Sequence, residues 1–262
     1  MVGIYTGEFV EGLVDDLIGY VTVDRAPVNA YNLQTHREIH EAFVALEPSG
    51  IRCVIFQAAG WQEGRPFGAG SDIKEFVGLT PETSLERAKL LREYMVAMNS
   101  FPLPTIAAIE ELAIGSGLGW AMRADIRVVS ETARFAMPEI KVGALGGGKM
   151  LMRHIGVGKA RELIYTGDEF DAAEAYRLGL AQHLVPRGEA VKRAQEIASR
   201  IAQNSEVGLR LAKQQMIIGE KTLDLDEAYR IETELTAQYR QSKDAANASR
   251  DFFEKRARSA GA

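Results

Sequence analysis

The pattern of apolar and polar positions alternates between strands and helices over the first part of the chain. Four apolar runs rich in β-branched side chains predict strands, at residues 17–24, 53–60, 104–109 and 125–129. Two amphipathic segments predict helices, at residues 33–46 and 81–99. The second segment opens with Thr80 and Pro81, and proline is favoured at the first helical position. This alternation of strands and helices favours an α/β fold.

From about residue 158 the strand pattern ends and only helical patterns follow. Helices are predicted at residues 160–166, 172–178, 189–203, 207–218 and 225–258. We therefore expect an α/β core over residues 1–200 and a helical C-terminal region over residues 201–262. Such a region usually packs on the core or on a neighbouring subunit.

Residues 113–119, the sequence AIGSGLG, form the most informative stretch of the chain. They follow the strand at 104–109 and lead into a helix-like segment. A strand that turns into a helix through small residues leaves free backbone N–H groups at the positive end of the helix dipole. Such a turn can hold a phosphate or an oxyanion, although a purely structural turn has the same pattern.

A second turn of the same kind lies at residues 67–76, after the strand at 53–60. Asp72 is placed there to cap the first turn of a short helix. Two such turns can each aim one N–H group at a single carbonyl oxygen that gains charge during a reaction. Each donor of this type lowers a reaction barrier by about 2.7–4 kcal/mol in measured cases.

Composition narrows the classes of partner. The 262 residues are 46% hydrophobic and carry a net charge of −5, with acidic and basic residues well mixed. We therefore expect neither nucleic acid nor a membrane surface as a partner. The single cysteine, Cys53, lies in an apolar strand and is expected to be a buried structural thiol. The four histidines fit no metal-ligand spacing, so no metal site is expected. The sequence shows no targeting pattern, which favours a cytoplasmic protein.

With both turns in view, the chain resembles the enoyl-CoA hydratase/isomerase (crotonase) superfamily over nearly its whole length. The matching segments are residues 29–32, 67–75, 113–119, 135–139, 165–167, 173–175, 178–180 and 253–256. The resemblance implies a spiral of strand–strand–helix units with a C-terminal trimerisation region, and a homotrimer or a dimer of trimers. It also implies an acyl-CoA thioester substrate, with coenzyme A present only as part of that substrate.

The resemblance also assigns roles at the site. It implies that the backbone N–H groups of Ser71 and Ser116 hold the thioester oxygen in an oxyanion hole and that Glu139 is the catalytic base. Family hydratases use two glutamates twenty residues apart, and the first of these positions is occupied here by Gly119. For coenzyme A the resemblance points to Arg25, Ala26, Val28 and the backbone of Ala69, and to Lys255 or Arg256 for a phosphate.

Several further residues are candidates for the acyl pocket, namely Asp72, Ile73, Glu111, Gly119, Trp120 and Leu145. Some of them have an alternative role: Asp72 as a helix cap and Trp120 as a core residue. Glu110 or Glu111 could replace the missing glutamate, or could pair with a basic residue. Burial among Phe135, Met137 and Ile140 would raise the pKa of Glu139 towards a useful range.

The missing carboxylate favours moving a proton over adding water. Our first hypothesis is an enoyl-CoA isomerase in which Glu139 shuttles a proton between the α and γ carbons. The alternatives are a hydratase or dehydratase that uses Glu139 and an ordered water, an acyl-CoA decarboxylase or thioester hydrolase, and a non-catalytic CoA-binding scaffold.

Overall fold

The computed structural model describes residues 1–247 and residue 250, and the elements given below belong to that part of the chain. Its strands are β1 (Val2–Thr6), β2 (Val10–Asp15), β3 (Ile18–Val23), β4 (Cys53–Ala58), β5 (Thr105–Ile109), β6 (Ala113–Ile114), β7 (Ile126–Ser130), β8 (Arg134–Ala136), β9 (Phe170–Asp171) and β10 (His183–Val185). Its α-helices are α1 (Leu33–Leu46), α2 (Pro81–Met98), α3 (Ser116–Ala121), α4 (Gly148–His154), α5 (Val157–Thr166), α6 (Ala172–Arg177), α7 (Ala190–Ala202), α8 (Glu206–Gly219) and α9 (Leu225–Arg240).

A seven-stranded sheet in the order β1-β2-β3-β4-β5-β7-β10 forms the centre of the fold. The first three strands pair antiparallel, and the pairs from β3 to β10 are parallel. Every residue of β5 is buried, which agrees with its unbroken apolar sequence in the middle of a parallel sheet. A smaller sheet in the order β6-β8-β9 carries the small-residue turn at residues 113–119. The predicted α/β class is confirmed.

The two long helices of the first half begin where the sequence predicts. Asn32 accepts the N–H of Thr35 and caps α1, whose bounds match the prediction. Thr80 and Thr83 form a reciprocal cap on α2, with Pro81 at its first position. One hydrophobic cluster packs between α1 and the two sheets, and a second lies beneath α7. The sheet and these helices thus form a rigid base for the two turns.

The expectation that strands end near residue 158 is wrong. β10 pairs parallel with β7, and β9 pairs antiparallel with β8. These strands contain only three and two residues, which is too short to produce an alternating pattern. In β10 the side chain of Leu184 is also exposed, because this strand lies at the edge of the sheet.

The C-terminal part is helical over the residues that the structure describes, as predicted, but the single helix expected over residues 225–258 is interrupted after residue 240. α9 ends at Arg240, and the hydroxyl of Ser242 then accepts the N–H of Ala245, which starts a separate helical segment at 243–247. Within the described residues, no helix combines the length and apolar character needed to cross a membrane.

α8 is fixed to the core by a buried cation. The ammonium group of Lys213, which is 8% exposed, donates to the carbonyl of Leu103 at 2.7 Å and to Asp125 Oδ2 at 2.8 Å. Arg210 on the same helix pairs with Glu47 at the end of α1. These contacts hold α8 against the α/β core.

Candidate active site

The two predicted turns lie side by side. The N–H of Gly68 donates to the carbonyl of Leu112, and the N–H of Ile114 donates to the carbonyl of Gly68 at 2.8 Å. Gly117 fits against this pairing only because it has no side chain, since a Cβ there would lie 2.5 Å from the carbonyl oxygen of Gly68. The small residues are therefore explained by the close approach of two backbones.

Each turn contributes a serine with a free backbone donor. The N–H groups of Ser71 and Ser116 have no acceptor among the described residues. Ser116 is the first residue of α3, where helix geometry leaves N–H groups without partners. Ser71 is held in place by Tyr31, which bonds to the backbone of the residues on either side of it. The two serine Oγ atoms lie 2.6 Å apart, so the residues that carry the free donors are in contact.

Glu139 begins the 3₁₀ helix Glu139–Val142, three residues after the end of β8 at Ala136. Its Oε2 is buried and has no hydrogen-bond partner among the described residues. Its Oε1 lies 3.0 Å from the point that a Cβ on Gly115 would occupy, so the glycine leaves room for the carboxylate beside Ser116. Burial raises the pKa of Glu139. An unpaired carboxylate with a raised pKa is suited to accept a proton from carbon.

Of the three residues predicted to bury Glu139, only Met137 lines the same cavity. Phe135 and Met137 are buried, but Ile140 is 48% exposed. The 3₁₀ helix turns the Ile140 side chain outward, so that side chain does not account for the raised pKa of Glu139.

Ser71, Ser116 and Glu139 line one cavity of about 960 Å³. This volume is at the upper end of the range for small-molecule sites, roughly 300–1,000 Å³. Among the described lining residues, Glu139 is the only one with a carboxylate. Two of the predicted pocket residues, Gly119 and Leu145, also line this cavity.

Comparison with known proteins agrees with this geometry. The sequence model of the enoyl-CoA hydratase/isomerase family matches residues 15–259. The chain belongs to this family. It is 33% identical to the short-chain-enoyl-CoA hydratase of Clostridium acetobutylicum over 91% of this chain and 92% of that protein. It is 34% identical to an enoyl-CoA isomerase/hydratase of Mycosarcoma maydis over 74% of this chain and 72% of that protein.

Its fold matches that of solved members of the crotonase superfamily. The crystal structure of enoyl-CoA hydratase from Bacillus anthracis superposes with a TM-score of 0.88 at 30% identity, covering 95% of this chain and 97% of that one. The strand and helix arrangement described above is therefore the crotonase fold.

Four of the predicted pocket residues do not line the cavity of this enoyl-CoA hydratase/isomerase family member. They are Asp72, Ile73, Glu111 and Trp120. Asp72 caps the 3₁₀ helix Ile73–Phe76 by accepting the N–H of Lys74, and it pairs with Arg25 at 2.8 Å. Ile73 is 64% exposed. Asp72 is therefore a helix cap, which was the alternative role considered for it.

Neither acid of the Glu110–Glu111 pair faces the cavity. Glu110 is buried and accepts the N–H groups of Gly188 and Ala190 at 2.8 Å each, which caps the start of α7. Glu111 pairs with Arg187 at 2.8 Å. Both carboxylates therefore have structural partners, and of the two alternatives considered for Glu111 the structure shows pairing with a basic residue.

Trp120 is a core residue. It is 1% exposed, and its indole N–H donates to His36 Nδ1 at 2.7 Å. Burial, followed by the charges of Arg87 and Arg123, lowers the pKa of His36 to about 3. The imidazole is thus neutral at physiological pH and serves as an acceptor for the tryptophan.

The residues predicted to bind coenzyme A lie in two neighbouring loops. Ala26 and Val28 are exposed, and the N–H of Ala69 donates to the carbonyl of Asn29. The guanidinium of Arg25 turns inward, because it donates to the carbonyl of Ala30 and pairs with Asp72. Lys255 and Arg256 lie outside the described residues.

Sequence reasoning missed two residues that shape the site. Buried Asn29 accepts the N–H of Arg25 and donates to the carbonyls of Ala59 and Pro66, which ties the two loops together. Arg123 lines the cavity with Glu139. The signal for Arg123 was its position four residues after Gly119, which is one helical turn away.

Proposed function

We propose that this protein is an enoyl-CoA isomerase that moves a double bond along the acyl chain of a CoA thioester. Glu139 acts as the single base, and the N–H groups of Ser71 and Ser116 form the oxyanion hole. Coenzyme A enters only as part of the substrate.

The reaction would run in two proton transfers. Glu139 removes a proton from the α carbon of a β,γ-unsaturated thioester, and the electron pair delocalises into the thioester carbonyl and the double bond. The resulting dienolate oxygen carries negative charge between the two serine N–H groups. Glu139 then returns the proton to the γ carbon, which leaves an α,β-unsaturated thioester and a regenerated carboxylate.

The observation that carries this proposal is the single carboxylate of the cavity. Glu139 is the only acidic side chain among the described lining residues, and Glu110 and Glu111 are held elsewhere by their own partners. One base that takes and returns the same proton can shift a double bond. The family's two-glutamate hydration instead shares its work between two carboxylates, and Gly119 occupies the first of those positions.

The test follows a β,γ-enoyl-CoA in deuterated buffer by mass spectrometry. We expect conversion to the α,β isomer, with deuterium entering the acyl chain whenever the Glu139 carboxyl group exchanges its proton with solvent before returning it. Glu139→Gln should lower the rate by about 10²–10⁴-fold, the usual contribution of a positioned base. Glu93→Gln is the matched control, because Glu93 is exposed on α2 and does not line the cavity. The proposal would be overturned if the substrate were not converted and its α carbon did not exchange hydrogen with the buffer.

A second candidate is hydration of an enoyl-CoA by Glu139 and an ordered water. It is favoured by the similarity to the short-chain-enoyl-CoA hydratase of Clostridium acetobutylicum. Crotonyl-CoA distinguishes the two, since a hydratase adds water to it, whereas an isomerase without that activity leaves its double bond intact. Rapid hydration would make this candidate the primary function.

We further propose that the C-terminal helices mediate association into trimers. α9 has no buried residue, and Leu223, Leu225 and Tyr229 expose large apolar side chains around its start. Light scattering coupled to gel filtration tests this directly, and a monomer at micromolar concentration would rule the proposal out.

A further inference from the structure

Arg123 extends from the end of α3 into the wall of the cavity that also holds Glu139. Its Nε donates to the carbonyl of Met95 at 3.0 Å, and its Nη1 donates to the carbonyl of Gly119. These two bonds fix the guanidinium between α2 and α3. They use two of its five N–H donors, and three remain.

No carboxylate among the described residues lies within 4.0 Å of the Arg123 guanidinium. Burial and the neighbouring Arg153 lower the pKa of Arg123 to about 10, so the group keeps its charge at neutral pH. Arg87 makes a useful comparison, because it lines the same cavity and pairs with Glu75 at 2.7 Å. A partly buried charge without a partner is unfavourable, and an anion that fits the cavity would relieve that cost.

Gly119 leaves space next to this charge. A Cβ on Gly119 would lie 3.7 Å from Arg123 Nη1, so any longer side chain at this position would lie against the guanidinium. With glycine there, the space belongs to the cavity. Gly119 thus leaves the site without the first glutamate of family hydratases, and it leaves space beside Arg123 for a carboxylate of the ligand.

The charged residues that line the cavity also favour an anionic ligand. Arg87, Arg123 and Lys149 line it, against Glu139 alone. Lys149 is exposed and has no ion pair among the described residues. The predicted coenzyme A loop at residues 25–28 is not among the residues that line the cavity, so these cations belong to a different surface from that loop.

We propose that the acyl group of the substrate ends in a carboxylate and that Arg123, beside Gly119, binds it. The substrate class is therefore a CoA thioester of an unsaturated dicarboxylic acid. Arginine suits this role because its planar fork matches a carboxylate with two parallel hydrogen bonds. This inference rests on the proposed function for its chemistry but concerns binding, which can be measured separately.

The experiment compares two matched six-carbon β,γ-enoyl-CoA thioesters, one ending in a methyl group and one in a carboxylate. We expect a higher kcat/KM for the carboxylate thioester in the unmodified protein. Arg123→Met should reduce this preference by about 10- to 100-fold, the range for a hydrogen bond to a charged group. Arg123→Lys should restore part of it, because the charge is kept and the fork is lost.

Two further variants keep the result interpretable. Arg92→Met removes an exposed arginine of α2 that does not line the cavity, and it should leave the preference intact. Gly119→Glu keeps Arg123 and its backbone contacts but places a carboxylate of the protein beside it. This variant should lose the preference as Arg123→Met does, even if Arg123→Met folds poorly.

Calorimetric binding of the saturated six-carbon analogues, with and without the terminal carboxylate, separates this inference from the proposed function. If no thioester is turned over but the carboxylate analogue binds more tightly through Arg123, the isomerase proposal fails and the carboxylate site stands. If the neutral thioester is isomerised and neither binding nor turnover favours the carboxylate, the isomerase proposal stands and the carboxylate site is refuted. Equal preference in the unmodified protein and in Arg123→Met would also refute it.

Discussion

Gly115 and Gly119 lie one helical turn apart, and the same substitution to alanine should have opposite effects on stability at the two positions. Gly115 has a φ of +50°, and a Cβ there would lie 3.0 Å from Glu139 Oε1. Gly119 lies inside α3, where a Cβ would make ordinary contacts at 3.7 Å with Arg123 and at 3.8 Å with Met95. The backbone therefore requires glycine at position 115, whereas alanine fits at position 119 without strain.

The magnitudes follow from backbone conformation and packing. An alanine at a positive φ costs about 1–3 kcal/mol, and displacement of the Glu139 carboxylate would add to that cost. Gly119→Ala should instead stabilise the fold by about 0.4–1 kcal/mol, because alanine restricts the unfolded chain and favours the helix. The two variants should therefore differ in free energy of unfolding by about 1.4–4 kcal/mol.

Urea unfolding followed by fluorescence and circular dichroism measures this difference. Gly158→Ala provides a reference for helix propensity alone, since a Cβ at that position in α5 would meet no atom within 4 Å. Gly115→Ala should also slow deuterium exchange at the substrate α carbon, because the base must move. If Gly115→Ala proves as stable as Gly119→Ala, the described conformation of the turn is incorrect.

Three further outcomes are expected. Because the pKa of Glu139 is raised, a pH–rate profile should show activity falling with decreasing pH at a value above the ordinary glutamate pKa of about 4.3. For the same reason Glu139→Gln should be more stable than the unmodified protein at neutral pH, which thermal unfolding measures. Trp120→Phe leaves the buried His36 Nδ1 without its donor and should cost about 1–3 kcal/mol in urea unfolding. Glu110→Gln should lower the free energy of unfolding by a similar amount, because one amide oxygen cannot replace two carboxylate oxygens at the start of α7. Glu111→Gln removes a more exposed ion pair and should lower the free energy of unfolding by less than about 1 kcal/mol.

The sequence predicts those parts of the fold that depend on local signals. The apolar spacing and the Asn32 cap define α1, and Thr80 with Pro81 defines the start of α2. The two small-residue turns were predicted to meet, and the contact between Ser71 and Ser116 agrees with that geometry. Their role in an oxyanion hole remains a prediction.

The features that sequence reasoning missed depend on contacts between distant segments. The partners of Glu110 and Trp120, whose roles the sequence leaves open, lie 80 and 84 residues away in the chain, and no local pattern indicates them. Arg123 has no counter-ion because none of the described segments packed around it places a carboxylate within reach. The sequence alone does not show which segments these are. The short strand β10 forms for a similar reason, since pairing with β7 stabilises three residues that have no strand pattern of their own.

Several polar groups without partners among the described residues line one cavity. Their unpaired state is explained if a substrate that enters this cavity supplies the partners. Native proteins satisfy most of their buried polar groups, yet Ser71 and Ser116 keep free N–H donors, Glu139 keeps an unpaired oxygen, and Arg123 has no counter-ion among the described residues. An unsaturated acyl-CoA with a terminal carboxylate would supply the complement of each: a carbonyl oxygen, an acidic C–H and an anion. The cost of leaving these groups unpaired would then be recovered only when such a substrate binds. Binding should therefore raise the free energy of unfolding more for the dicarboxylic thioester than for its neutral counterpart.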